Sequence, residues 1–119
     1  MIAEDAQRLH TATMNIKGWH HDRNLIEGAD DKTQFCKLIS EAGELATNLA
    51  RGNDMRDDIG DMCVVLINIA ERNGYSLTEC LEQAYNDIKD RKGRMINGTF
   101  VKEADLTDDP HWGDEQEQK

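Results

Sequence analysis

The sequence predicts an all-α fold, a four-helix, bundle-like domain, and three observations carry that expectation. Apolar residues recur at three- and four-residue spacing along most of the chain. Helix start and stop signals alternate at short intervals. No region has the strict apolar–polar alternation of a half-buried strand. The first helix covers about residues 3 to 22, with Ala6, Leu9, Thr13 and Ile16 on one side and an irregularity expected at Gly18. Asn24 to Asp30, containing Gly28, is the first connection. A second helix starts near Asp31, where Asp31 and Gln34 match a capping box. It carries Phe35, Leu38, Ile39, Ala42, Leu45, Ala46 and Leu49 at helical spacing.

Arg51-Gly52-Asn53-Asp54 is a turn signal, after which a third helix starts at Asp54. Met55, Ile59, Met62, Cys63, Leu66, Ile69 and Ala70 are expected to face inward, and Asn73-Gly74 closes the helix. Ser76-Leu77-Thr78-Glu79 is a capping box opening the fourth, which should bury Leu77, Cys80, Leu81, Ala84 and Ile88. After Met95 the helical pattern breaks, and Met95 to Val101 reads as a turn with short extended flanks around Asn97-Gly98. Residues 1–102 are thus expected as the helical domain and 103–119 as an acidic C-terminal tail.

Composition narrows the function. The chain has 119 residues and a formal net charge of −10, of which residues 103–119 supply −6. Nucleic-acid partners are disfavoured, because polyanion binding rests on a basic surface. Aromatics make up 5% of the residues, so a lone copy has a thin core and a homodimer or homotetramer is expected. Cys36, Cys63 and Cys80 are odd in number and lie at apolar helical positions, which predicts buried, reduced thiols in a cytoplasmic protein. Neither a signal-peptide core nor a membrane span is expected.

Two matched acidic pairs say most about chemistry: Glu41-Ala42-Gly43-Glu44 and Asp58-Ile59-Gly60-Asp61. Each has i, i+3 spacing, which puts both acids on one side of a helix. Folding back at Gly52 would set Glu44 and Asp61 equally far from the turn, with Glu41 and Asp58 about 4.5 Å further along the axis on either side. Packed carboxylates repel unless a cation intervenes, and Mg²⁺ is held by carboxylates together with substrate phosphates. The bland alternative, a solvated acidic face, suits a lone pair better than two pairs beside apolar stripes.

These residues resemble a known family, the MazG-like, all-α nucleoside triphosphate pyrophosphohydrolases. The resemblance rests on Lys37 to Leu45, on Asp57 to Met62, and on Ala84 to Lys92, which looks like the Asn-plus-basic segment of the family's fourth helix. It implies hydrolysis of an NTP or dNTP to the monophosphate and pyrophosphate by a homo-oligomer using Mg²⁺, with Mn²⁺ as a substitute. Glu41, Glu44, Asp58 and Asp61 would hold the metal and carry catalysis, and Asn86, Lys89, Arg91 and Lys92 would grip the triphosphate. Family members mostly have Glu where this chain has the shorter Asp58, and Asp57 could share its role. Lys37 has two uses open to it, reaching phosphate or pairing with Glu41 one turn away. Trp19 likewise is either a packing residue or a wall of the nucleobase pocket. Relatives specialised for dUTP, dCTP, phosphoribosyl-ATP or an alarmone would share the metal site. A non-catalytic helical interaction module is the alternative from another class.

Overall fold

The computed structural model of the protein describes residues 2–106. It contains α1 (Ile2–Asp22), α2 (Asp31–Arg51), α3 (Arg56–Arg72) and α4 (Leu77–Ile88), then strands β1 (Gly93–Ile96) and β2 (Thr99–Lys102) and a short 3-10 turn at Glu103–Asp105. The fold is mostly helical, with one two-stranded antiparallel sheet among the described residues. Two compact units divide the chain, one through Cys80 and one from Leu81 onward. Pro110, His111 and Trp112, with most of the acidic tail, lie outside the described residues.

Local chemistry explains the helix ends. α1 runs through Gly18 without a break, so the expected irregularity there is absent. The cap of α2 is Asp30, one residue before the expected position, and its carboxylate accepts hydrogen bonds from the Thr33 backbone N–H (2.8 Å) and the Thr33 hydroxyl (3.0 Å). α2 ends at Gly52, whose left-handed backbone (φ 70°) lets its N–H reach the Asn48 and Leu49 carbonyls. The α3 helix begins at Arg56 rather than Asp54, and Asp54 instead accepts a hydrogen bond from the Arg56 N–H at 2.9 Å. Ser76 caps α4 as its sequence suggests: Ser76 Oγ accepts from the Glu79 N–H (3.1 Å), and Glu79 accepts from the Ser76 N–H (3.2 Å).

In the first unit α3 packs against both α2 and α1. Val65, Ile67 and Ala70 are its buried apolar residues, all on α3. Half-buried Leu38, Ala42 and Leu45 of α2 and Thr13 and Ile16 of α1 complete the apolar contacts. Three expectations fail here. Ile59, Cys63 and Leu66 of α3 are exposed rather than inward, as are Phe35, Ile39 and Leu49 of α2. α4 buries none of its apolar residues, and Leu81 and Ile88 are each at least half exposed. All three cysteines are exposed. α2 and α3 carry apolar residues over a wider arc than the helices packed on them cover.

The connection between α1 and α2 is held by side chains from the end of α3. Asn68 Nδ2 donates to the Leu25 carbonyl (2.9 Å), and Arg72 Nε donates to that of Ile26 (2.8 Å). The other Arg72 nitrogens donate to the Ala29 carbonyl and to Asp31, which explains why Asp31 is not the cap. One guanidinium thereby satisfies carbonyls that no helix could pair. In the second unit, β1 and β2 form a hairpin over Asn97 (φ 51°) and Gly98 (φ 80°), the paired positive φ values of a type I′ turn. Gly93 pairs with Lys102, and a Cβ there would collide with the Val101 carbonyl.

Replacing Arg72 with Met keeps the stem and removes the donors. Urea unfolding should show a loss of about 2–4 kcal/mol, because loop carbonyls and the Asp31 carboxylate lose a charged partner. A variant as stable as the parent would mean water serves those carbonyls equally well.

Candidate metal centre of paired carboxylates

Glu41 and Glu44 project from α2 one turn apart, and Asp58 and Asp61 do the same from the first half of α3. The turn at Gly52 brings the two helices side by side. Glu41, Glu44 and Asp61 each place a carboxylate oxygen within 4.8 Å of the others. Asp58 stands outside that radius, although its charge still acts on Glu44 and Asp61. Its own Oδ2 accepts a hydrogen bond of 2.9 Å from Asn48 Nδ2.

Burial sorts the acids. Glu41 is 9% exposed and Asp58 6%, both on the inward side of their helices, whereas Glu44 is exposed and Asp61 half-buried. One Glu41 oxygen, Oε1, lies 3.4 Å from the Lys37 ammonium. The other, Oε2, is buried without a hydrogen-bond partner. Such an oxygen is costly, since a desolvated carboxylate has lost its water and gained nothing in return.

The electrostatics follow. Glu44 has its pKa raised, first because its protonated form hydrogen-bonds to Glu41 and then because the Glu41 charge repels its ionised form. Asp61 is also raised, first by burial and then by the charges of Asp57, Glu41 and Asp58. For an acid, a raised folded-state pKa means that stability is fully present below the ordinary carboxylate range and is lost as pH rises through the raised value. Glu44 and Asp61 are thus both harder to ionise in the folded chain than alone.

Beside the acids lies a cleft of about 350 Å³ lined by Ser40, Gly43, Glu44, Thr47, Asn48 and Asp58. Thr47 turns its hydroxyl back to the Gly43 carbonyl (3.1 Å). Asn48 was not singled out by the sequence, although it continues the stripe of Glu41, Leu45 and Asn48 and lies just before the turn.

The expected substrate-binding residues occupy different places. Lys37 pairs with Glu41, so of its two uses the pairing is the one observed. Trp19 is half exposed on α1 and lines an apolar pocket of about 240 Å³ with Ile16 and Val64. The Arg23 guanidinium lies 4.5 Å from the centre of its ring, and the His20 ring meets it edge-on. Asn86, Lys89, Arg91 and Lys92 belong to the second unit and are exposed there. Only Asn86 is helical. α4 ends at Ile88, and Lys89, Arg91 and Lys92 lie on the connection to β1, which corrects the expectation of a basic fourth helix. Among the described residues no helix is long and apolar enough to cross a membrane.

Comparison with known proteins adds one relative. An uncharacterized 18.2 kDa protein in the rep-hol intergenic region of Haemophilus phage HP1 (strain HP1c1) is 41% identical over 61 residues. The match takes in 50% of this chain and 37% of the phage protein, so the chain spans well under half the length of that relative. No family model matches the sequence. No solved structure matches it either.

Proposed function

We propose that the chain is a Mg²⁺-dependent nucleoside triphosphate pyrophosphohydrolase with a MazG-like, bundle-like helical domain, converting an NTP or dNTP to the monophosphate and pyrophosphate. The observation that carries this reading is the buried, unpartnered Glu41 Oε2 among the carboxylates of Glu44 and Asp61. A solvated acidic face leaves no such oxygen; a cation ligand does. The donor set also suits a hard divalent ion, being all oxygen and all anionic. Two ligand oxygens on one Mg²⁺ are at most about 4.2 Å apart, from bonds of about 2.1 Å.

Mg²⁺ bound there would neutralise the carboxylates, meet the anionic phosphates and acidify a water. Glu41 and Asp61 serve this chemistry as fixed ligands, because burial limits their motion. Glu44, exposed and with a raised pKa, is placed to accept the proton of the water that attacks phosphorus. The cleft along Ser40, Thr47 and Asn48 gives a substrate room beside that reaction. Trp19, in the same unit as the acids, remains the proposed face for the base.

The exposed Phe35, Ile39 and Leu49 of α2 and Ile59 and Leu66 of α3 lead us to assign this face to a second copy of the chain. With so few buried apolar residues, the first unit has reason to complete its core by self-association. These same residues favour the rival reading, a non-catalytic interaction module.

Three outcomes are expected. Incubated with each NTP and dNTP, the protein should release monophosphate and pyrophosphate with Mg²⁺ and nothing with EDTA, as resolved by ion-exchange chromatography. Glu44→Gln or Asp61→Asn should lower that turnover at least about a hundredfold with the helical circular dichroism unchanged. Turnover of phosphoribosyl-ATP or an alarmone instead would keep the centre and change the substrate. No metal-dependent hydrolysis of any of them would favour the interaction module.

The second concerns pH. Without metal, Glu44→Gln should melt above the parent at pH 7, and the difference should vanish below the ordinary carboxylate range, where Glu44 is protonated in both states. Mg²⁺ should raise the melting temperature of the parent more than that of the variant. Equal melting at every pH would show that Glu44 carries no repulsion. Third, light scattering should find a dimer or tetramer that Leu66→Glu dissociates. A parent that is monomeric at every concentration would overturn the assignment of that face.

A further inference from the structure

The geometry points to Asn48 as the positioning residue of the carboxylate centre, acting through Asp58; this inference rests on the proposed metal site. Asn48 Nδ2 donates to Asp58 Oδ2 at 2.9 Å, in a part-buried contact across the α2–α3 seam. The other end of the same amide is also engaged: Asn48 Oδ1 accepts from Asn53 Nδ2 at 3.0 Å. Chemistry fixes the orientation of this relay. An ionised carboxylate only accepts, so the amide nitrogen must face Asp58, which leaves the amide oxygen for the Asn53 donor. The backbone of Asn48 is tied down too, its carbonyl accepting from the Gly52 and Asn53 N–H groups where α2 ends.

The consequence bears on what Asp58 can offer. Asp58 is 6% exposed and in no ion pair among the described residues, so Asn48 is its described partner. The Asn48 hydrogen bond takes one lone pair of Oδ2 and fixes the plane in which the Asp58 carboxylate meets the centre. It also sits outside the Glu41, Glu44 and Asp61 group in which the ligand oxygens converge. A free, rotatable Asp58 so near three like charges would swing away from them. The Asn48 donor holds it at the edge of the centre, on the wall of the cleft they share. Hydrogen-bonded partners of this kind fix ligand orientation, and losing one typically lowers metal affinity about 10–100-fold.

Mn²⁺ binding by the full chain, followed by electron paramagnetic resonance, tests the inference with four variants. Asn48→Leu keeps the volume and removes the donor, while Asn48→Gln keeps the amide one methylene out of register. Both should weaken Mn²⁺ about 10–100-fold against the parent. In the Asp58→Asn background, adding Asn48→Leu should change the affinity less than about twofold, because the two residues act as one unit. Helical signal and melting in EDTA check folding, and if the Leu variant fails that check the Gln variant decides. Parent-like affinity in the folded Asn48 variants overturns the positioning role, as does an equal loss with and without Asp58, which a merely structural effect at the end of α2 would give. A parent that binds no Mn²⁺ removes the metal reading itself and this inference with it, and is distinguished because it needs no variant.

Discussion

Gly52 is the constraint on which the carboxylate centre depends. Its left-handed backbone ends α2, spends the loose carbonyls of Asn48 and Leu49, and sends the chain back as α3 after only a few residues. So short a connection fixes which turn of α3 lies opposite Glu41 and Glu44. A residue inserted within α3 ahead of Asp61 would rotate the rest of the helix by about 100°, the angular step of an α-helix. Asp61 would then leave the group, although every helix could still form. The site is thus a matter of register first and of residue identity second.

α3 divides its labour along its length. Its first turns carry Asp57, Asp58 and Asp61, where the partial positive charge of a helix N-terminus eases the crowding of acids. Its last turns carry the apolar residues Val65, Ile67 and Ala70 and then Asn68 and Arg72, which hold the connection between α1 and α2. Strain and support therefore occupy opposite ends of one rigid element.

What the sequence showed depended on how local the physics was. The capping box at Ser76, the helix stop at Gly52 and the Asn97-Gly98 turn are decided within a few residues, and each was legible. Asp30 took the cap expected near Asp31 because Arg72, distant in sequence, engages Asp31. Periodicity marked Ile59, Cys63 and Leu66 as apolar, but period alone does not say which side of a helix has a partner in the same chain. The acidic spacing located Glu41, Glu44 and Asp61 because a short turn between helices leaves few ways to pair them. Asn48 escaped notice since an asparagine near a helix end reads as a stop signal, and its bond to Asp58 exists only once the helices are paired. The basic residues after Ile88 read as helical for want of a proline or glycine before Gly93.

The exposed thiols give the molecule a built-in footprint. Cys63 stands between Ile59 and Leu66 on the outward side of α3, one turn from each, while Cys80 lies on α4. An alkylating reagent reaches a thiol only where solvent does. The rate at which Cys63 reacts, read against Cys80 in the same molecule, therefore reports whether that side of α3 meets water or another surface, with no residue changed.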